Sequence, residues 1–145
     1  MVDMPGILDI IRRDHEKVLG IIEDLDKSRA VARERERPFA ELKKEITQHM
    51  DAEEKVFYPA LERNERDDIL EAIEEHNVTR TVSDEMDNTP VDSDRWKAKL
   101  KVLKELTEHH IEEDKIFKEA GKDLSKDQLE DMGKRFEEAK GIMYR

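Results

Sequence analysis

The chain has 145 residues, of which 36% are hydrophobic and 45% are charged, and its formal net charge is −11. This length is typical of one domain, so we expect residues 1–145 to form a single domain. The negative charge disfavours nucleic acid and anionic membranes as partners, and no apolar run reaches the roughly 20 residues that span a bilayer. Without cysteine or a recognisable signal peptide, the chain is expected to be cytoplasmic.

The first half of the sequence predicts two helices, because apolar residues recur at helical spacing. The first helix runs from about residue 6 to the early thirties, and its inner stripe contains Ile7, Leu8, Ile11, His15, Val18, Ile22 and Leu25. The second helix begins near Pro38, and its inner stripe contains Phe39, Leu42, Ile46, His49, Glu53, Phe57 and Ala60. Pro59 is expected to kink its last turn, and a turn is predicted over residues 64–68.

The second half predicts three more helices. The third helix has an inner face of Ile69, Ile73, His76 and Met86, and residues 88–92 break it. The fourth helix, capped by Asp92 or Ser93, continues to Gly121 as a C-cap. Ser125 and Gln128 form a capping box that starts a short fifth helix. We therefore predict an all-α fold, an antiparallel up-and-down four-helix bundle with a short C-terminal fifth helix.

Twelve residues of the second helix recur in the fourth. Residues 46–57 match residues 106–117 at a constant offset of 60 positions (109 − 49), and five of the twelve pairs are identical. Each stretch carries a His-x-x-x-Glu motif, formed by His49 with Glu53 and by His109 with Glu113. The repeat therefore places the same pair of functional groups on two helices.

The two motifs indicate a metal site. Side chains four residues apart on a helix lie about 6 Å apart on one face, so each pair can direct an imidazole and a carboxylate at one point. An ionised carboxylate that faces a core is costly unless it is paired or binds a metal. His15 and His76 add an inward histidine on the first and third helices. Mixed imidazole and carboxylate ligands suit iron, manganese or zinc rather than magnesium or calcium.

With these motifs the sequence resembles the hemerythrin-like, or HHE cation-binding, family over about residues 7 to 120. The stretches from His49 to Pro59 and from His109 to Phe117 are similar to the signature stretches of that family. The resemblance implies two iron ions joined by two carboxylates and an oxo or hydroxo bridge, with manganese and zinc ranked below iron. It implies as metal ligands His15, His49, Glu53, His76, His109 and Glu113.

The chain departs from the oxygen-carrying members of that family at position 80. Those members have a second histidine four residues after the histidine of helix three, where this chain has Arg80. The substitution leaves an additional open coordination position, unless Tyr58 or His110 serves as a substitute ligand. Arg80 itself either pairs with a carboxylate, stabilises a bound anion, or extends into solvent.

The choice of the helix-four histidine has an alternative. His110 lies as close to the apolar stripe as His109 and has Asp114 four residues on, and Asp114 also follows His109 by five residues. The repeat favours His109 with Glu113, since these align with His49 and Glu53.

The predicted function is binding or sensing of a small molecule, namely O2, nitric oxide or peroxide, at a non-haem di-iron centre. The alternatives are an enzyme that processes peroxide or nitric oxide at the same centre, and an iron-handling or structural metal-binding bundle.

Overall fold

A computed structural model describes residues 5–27, 32–112 and 115–141 of the chain, and all regular secondary structure in these ranges is helical. The helices are α1 (Ile7–Lys27), α2 (Glu36–Ala52), α3 (Tyr58–Asp87), α4 (Asp94–Glu112), α5 (Lys115–Asp123) and α6 (Lys126–Ala139). A 3₁₀ turn, Ala32–Arg35, precedes α2, and a π-helical turn, Glu53–Phe57, joins α2 to α3. Within the described ranges, no helix combines the length and apolar character that crossing a membrane requires.

The predicted second and third helices follow each other without a gap. The turn predicted over residues 64–68 is a kink inside α3, where Glu65 has φ −126° and ψ 28°. The π-helical turn just before Pro59 was not predicted, and in it the Tyr58 amide donates to the Glu53 carbonyl. Pro59 has no N–H to continue the regular ladder, which is consistent with a wider turn at this point.

The helix ends agree with the sequence at two positions and differ at a third. The Ser93 hydroxyl accepts from the amide of Trp96 at the start of α4, at 3.2 Å. At the start of α6, Ser125 and Gln128 form the predicted capping box. The predicted C-cap at Gly121 is wrong, because α5 continues to Asp123 and Gly141 is the only described residue with a positive φ.

The buried apolar residues form two clusters. The first apolar cluster includes Ile10, Ile11, Phe57, Leu61, Ile69 and Phe136. The second apolar cluster includes Val18, Ile22, Leu42, Met50, Trp96 and Leu103. Along α1, the chain passes from Ile11 of the first cluster, through His15, to Val18 of the second. The predicted ligand histidine of this helix therefore lies where one apolar cluster gives way to the other.

Helix α6 packs against α1, α2 and the π-helical turn. A Cβ atom added at Gly133 would lie 2.9 Å from the Pro5 carbonyl oxygen and 3.1 Å from the Ile7 amide nitrogen. Since real Cβ atoms do not approach backbone so closely, this glycine allows the two helices to meet. The close approach positions the C-terminal end of α6 beside the histidines described next.

Candidate metal centre

Two groups of side chains meet around Glu53, a glutamate with no exposed surface. The first group is His15, His49 and Glu53, and the second is Glu53, His76 and His110. Within each group, one ligand atom per residue lies within 4.8 Å of the others. Four predicted ligands are therefore brought together, and Glu53 is shared by both groups.

Five buried polar atoms in these groups have no hydrogen-bond partner among the residues that the structure describes. They are Nε2 of His15, His49 and His110, and both carboxylate oxygens of Glu53. The Glu53 Oε1 atom lies 3.2 Å from Nε2 of His49, 3.3 Å from Nε2 of His76 and 4.0 Å from Nε2 of His110. Buried polar atoms are normally paired, and a set of imidazole nitrogens and carboxylate oxygens that converge in this way suits a transition metal.

Of the two adjacent histidines of α4, the structure brings His110 rather than the predicted His109 to Glu53. The His109 side chain is 58% exposed, and its Nε2 lies 3.7 Å from a carboxylate oxygen of Glu75. The His110 side chain is 16% exposed and belongs to the second group. Residue 110 follows the buried Leu103 by seven positions and so shares its face, whereas residue 109 is rotated by about 100°. The predicted ligand Glu113 and the alternative Asp114 lie outside the described residues.

Each of three histidines turns its Nδ1 toward a carboxylate. The pairs are His49 with Asp14 at 2.8 Å, His76 with Glu54 at 2.7 Å, and His110 with Glu75 at 3.4 Å. A carboxylate that accepts from Nδ1 fixes the orientation of the ring and leaves Nε2 for a metal. Sequence reasoning missed these carboxylates because each comes from a different helix than its histidine, so no spacing along the chain reports the pairing.

Two cations support two of these carboxylates. The Nζ of Lys140, just after α6, lies 2.7 Å and 2.9 Å from the two oxygens of Asp14. An Nη of Arg80 lies 2.6 Å from Glu54 and 2.8 Å from Asp51. Of the readings open for Arg80, pairing with carboxylates is the one observed.

Tyr58, at the start of α3, lies beside the second group. Its hydroxyl is 3.3 Å from Nε2 of His76, and its ring stacks on that imidazole with centroids 5.7 Å apart. The side chain is almost fully buried. The phenol is therefore close to the nitrogen that would face a metal, as expected for a substitute ligand.

Burial and charge set the protonation of the site without a metal. Burial alone would lower the pKa of His49, but the carboxylates of Glu53 and Asp14 outweigh it and raise the pKa to about 9. Burial would raise the pKa of Glu53, but His49 and His76 hold it well below its usual range. Burial and the nearby His49 lower the pKa of His15 to about 4. At neutral pH, His15 therefore offers a free lone pair, while His49 must lose a proton to bind a metal.

A cavity of about 40 Å³ adjoins both groups. Its apolar wall includes Val18, Ile46, Met50, Leu106 and Ile111. Two threonines also line it, but Thr79 and Thr107 donate their hydroxyls to backbone carbonyls of their own helices. Phe57 and Phe117, the last residues of the two repeated stretches, do not line this cavity. Phe57 lies in the first apolar cluster, and Phe117 packs against that cluster.

A helical fold in which histidines surround a buried glutamate is typical of helical metal-binding proteins. The model of the hemerythrin HHE cation-binding domain matches residues 6–120, and the chain belongs to that family. The resemblance inferred from the sequence is thus confirmed.

A protein from Nostoc sp. (strain PCC 7120) named DNA nickase is 27% identical over 138 residues. The match covers 93% of this chain but 39% of that protein. No solved structure matches the chain.

Proposed function

We propose that the chain binds two metal ions, one in each of the two groups around Glu53, and that the ions are iron. The observation that carries the proposal is that three buried imidazole nitrogens, which have no hydrogen-bond partner among the described residues, converge on the shared carboxylate of Glu53, whose two oxygens also have none. The ligands are His15 and His49 on one side, His76 and His110 on the other, and Glu53 between them. Asp114 follows His110 by four residues, and either it or Glu113 completes the set as a second carboxylate.

The site is proposed to bind or sense a small molecule, with O2, nitric oxide and peroxide as the candidates. Iron supplies open coordination positions and an accessible change of oxidation state. The residues around it hold the imidazoles in place and leave a small, mainly apolar cavity. A cavity of about 40 Å³ has room for one or two water-sized molecules, which suits a diatomic ligand.

The proposal includes an antiparallel up-and-down arrangement of the four long helical segments around the site. The order in which the chain visits the two apolar clusters supports this. It runs from the first cluster to the second along α1 (Ile11, then Val18), and back along α2 (Ile46, then Ala52). The chain then runs again from the first cluster (Ala72) to the second (Met86), and back from the second (Leu103) to the first (Ile116).

Iron loading under anaerobic conditions tests the proposal. We expect about two irons per chain, and an absorption from ligand-to-iron charge transfer when air is admitted. If removal of O2 restores the anaerobic spectrum, the binding is reversible. Steady consumption of added peroxide indicates an enzyme. A fully loaded sample with one metal per chain, or one that prefers zinc and gives no absorption in air, would contradict the di-iron assignment.

We do not propose DNA nicking for this chain on the basis of the relative's name. The match covers 39% of that protein, and a chain with a formal net charge of −11 is repelled by the phosphate backbone. We expect supercoiled plasmid to stay intact when mixed with the iron-loaded protein. The appearance of the open-circular form, absent with the metal-free protein, would reverse this view.

A further inference from the structure

Helix α6 lies beyond the residues that match the family model, 6–120, and leads a lysine into the core. Lys140 is 6% exposed, and its Nζ contacts both oxygens of Asp14. Lysines are rarely buried without a partner, because the ammonium group loses its hydration. The ion pair between Lys140 and Asp14 joins the end of the chain to α1 at the residue just before His15.

The contact continues to a metal ligand. Asp14 Oδ2, held by Lys140, accepts from Nδ1 of His49 at 2.8 Å, and Nε2 of His49 then faces Glu53. The Phe136 ring of α6 meets the His49 imidazole edge to face, with centroids 5.5 Å apart. Helix α6 therefore fixes the orientation of His49 in two ways: the Phe136 ring packs against the imidazole, and Lys140 holds the Asp14 carboxylate that accepts from Nδ1.

The other half of the site is held by different residues. His76 is oriented by Glu54, and Glu54 is held by Arg80 of the same helix as His76. Neither Glu54 nor Arg80 has a described contact with Lys140. Removing the lysine should therefore affect one half of the site and leave the other half unchanged.

We propose that Lys140 is a positioning residue for the metal ion held by His15, His49 and Glu53. It acts through Asp14, whose carboxylate it fixes in the orientation that directs Nε2 of His49 into the site. Helix α6 and Lys140 thereby set the affinity of one of the two metal positions. This inference rests on the proposed function, since it concerns the metal site of the same chain.

Metal titration of Lys140→Met tests the inference, with Lys134→Met as the matched control on the exposed face of α6. Loss of a group that orients a ligand typically lowers metal affinity by about 10- to 100-fold. We expect a loss of at least about tenfold for one of the two ions in Lys140→Met. The second ion should bind as in the wild type, and Lys134→Met should bind both normally. Equal weakening of both ions, or no weakening, would overturn the proposal.

A double-mutant cycle separates positioning from a general effect on folding. In the Asp14→Asn background the carboxylate is gone, so adding Lys140→Met should change the affinity little further. If the lysine only docks α6, its removal should weaken binding equally in both backgrounds, and the assigned route through Asp14 would be wrong. The double variant buries no unpaired charge, so it remains informative even where Lys140→Met alone is unstable.

A metal-free measurement distinguishes failure of this inference from failure of the proposed function. In the metal-free wild type we expect a downfield proton resonance from Nδ1–H of His49, bonded to Asp14, which is lost in Lys140→Met and kept in Lys134→Met. Persistence of this resonance in Lys140→Met would overturn the role of the lysine whether or not the chain binds metal. If the resonance is lost in Lys140→Met but the wild type binds no metal, the proposed function would be overturned, whereas the role of Lys140 in holding Asp14 would stand.

Discussion

Single residues decide which nitrogen of each histidine is available at the site. Three histidines each direct Nδ1 at a carboxylate, that of Asp14, Glu54 or Glu75, so their Nε2 atoms are turned toward Glu53. Two of these carboxylates are held by cations, whereas Glu75 is shared between His110 and the exposed His109. The His110 imidazole that α4 contributes is therefore less firmly held than the imidazoles of His49 and His76.

The two adjacent histidines of α4 give a direct test at this scale. We expect His110→Ala to lower iron content from about two per chain to about one, since His110 is the residue whose Nε2 faces Glu53. His109→Ala should leave the iron content unchanged, because its side chain is largely exposed. Metal analysis after gel filtration measures both. The reverse result would restore the assignment based on the internal repeat.

Glu53 and Glu54 are neighbours with different roles. Glu53→Gln should lose both ions, because this carboxylate is common to the two groups. Glu54→Gln should retain the ion of His15 and His49 and weaken the other by about 10- to 100-fold, since Glu54 only orients His76. Calorimetric metal titration distinguishes the two outcomes. Similar losses in both variants would mean that Glu53 does not join the two positions.

The four predicted ligands that the structure brings together lie on strong apolar stripes. His15, His49, Glu53 and His76 each continue a helical pattern, so burial could be inferred from spacing alone. The helix-four ligand could not be fixed in this way, because two adjacent histidines bordered the stripe. Lys140 could not be predicted as part of the site, because its partner Asp14 lies 126 residues away in the chain.

At the scale of the helices, Gly133 makes the approach of α6 to α1 possible. We expect Gly133→Ala to lower the free energy of unfolding by about 1–3 kcal/mol, because its methyl group meets backbone atoms of Pro5 and Ile7. Gly20→Ala is the matched control, since nothing lies within 4 Å of a Cβ atom there. This second change should stabilise by about 0.5–1 kcal/mol through better helix propensity. Urea unfolding measures both, and a stable Gly133→Ala would mean that α6 docks less closely.

Helix boundaries were less predictable than helix positions. Periodicity indicates the buried face, but it tolerates a kink such as that at Glu65 or a π-helical turn such as Glu53–Phe57. Pro59, which the sequence flagged as a kink, marked the neighbourhood of the wider turn but not its type. That turn lies between Glu53 and Tyr58, so a local irregularity separates two residues that contact the same imidazole.

The whole molecule combines a net charge of −11 with ionised groups buried at its centre. Without metal, the buried Glu53 is balanced by protonated His49. Burial alone would lower the pKa of His76, but the carboxylates of Glu53 and Glu54 outweigh it and raise the pKa above its ordinary value. In the proposed metal-bound form, the metal ion replaces the proton of His49, so binding and folding become linked to pH. The stability of the chain should therefore depend on pH differently with and without metal.

For the metal-free protein, we expect the highest stability near pH 6.5. The pKa of His49 is about 9 in the folded chain and 6.5 in the unfolded chain, so its contribution is present below 6.5 and lost as pH rises toward 9. The pKa of His15 is about 4, so unfolding takes up a proton and stability falls as pH drops from 6.5 toward 4. Urea unfolding in chelator should show a loss on the order of 1–3 kcal/mol between pH 6.5 and about 8.5.

His49→Gln and iron loading each change that profile in a defined way. His49→Gln should flatten the decline above pH 6.5, because the group that releases its proton is gone. With ferrous iron bound anaerobically, His49 is already deprotonated by coordination, so stability should rise rather than fall over the same interval. Because ligands bind the folded state, the loaded protein should also be more stable than the metal-free protein at every pH in this range. Parallel profiles with and without iron would show that the buried histidines do not exchange their protons for a metal.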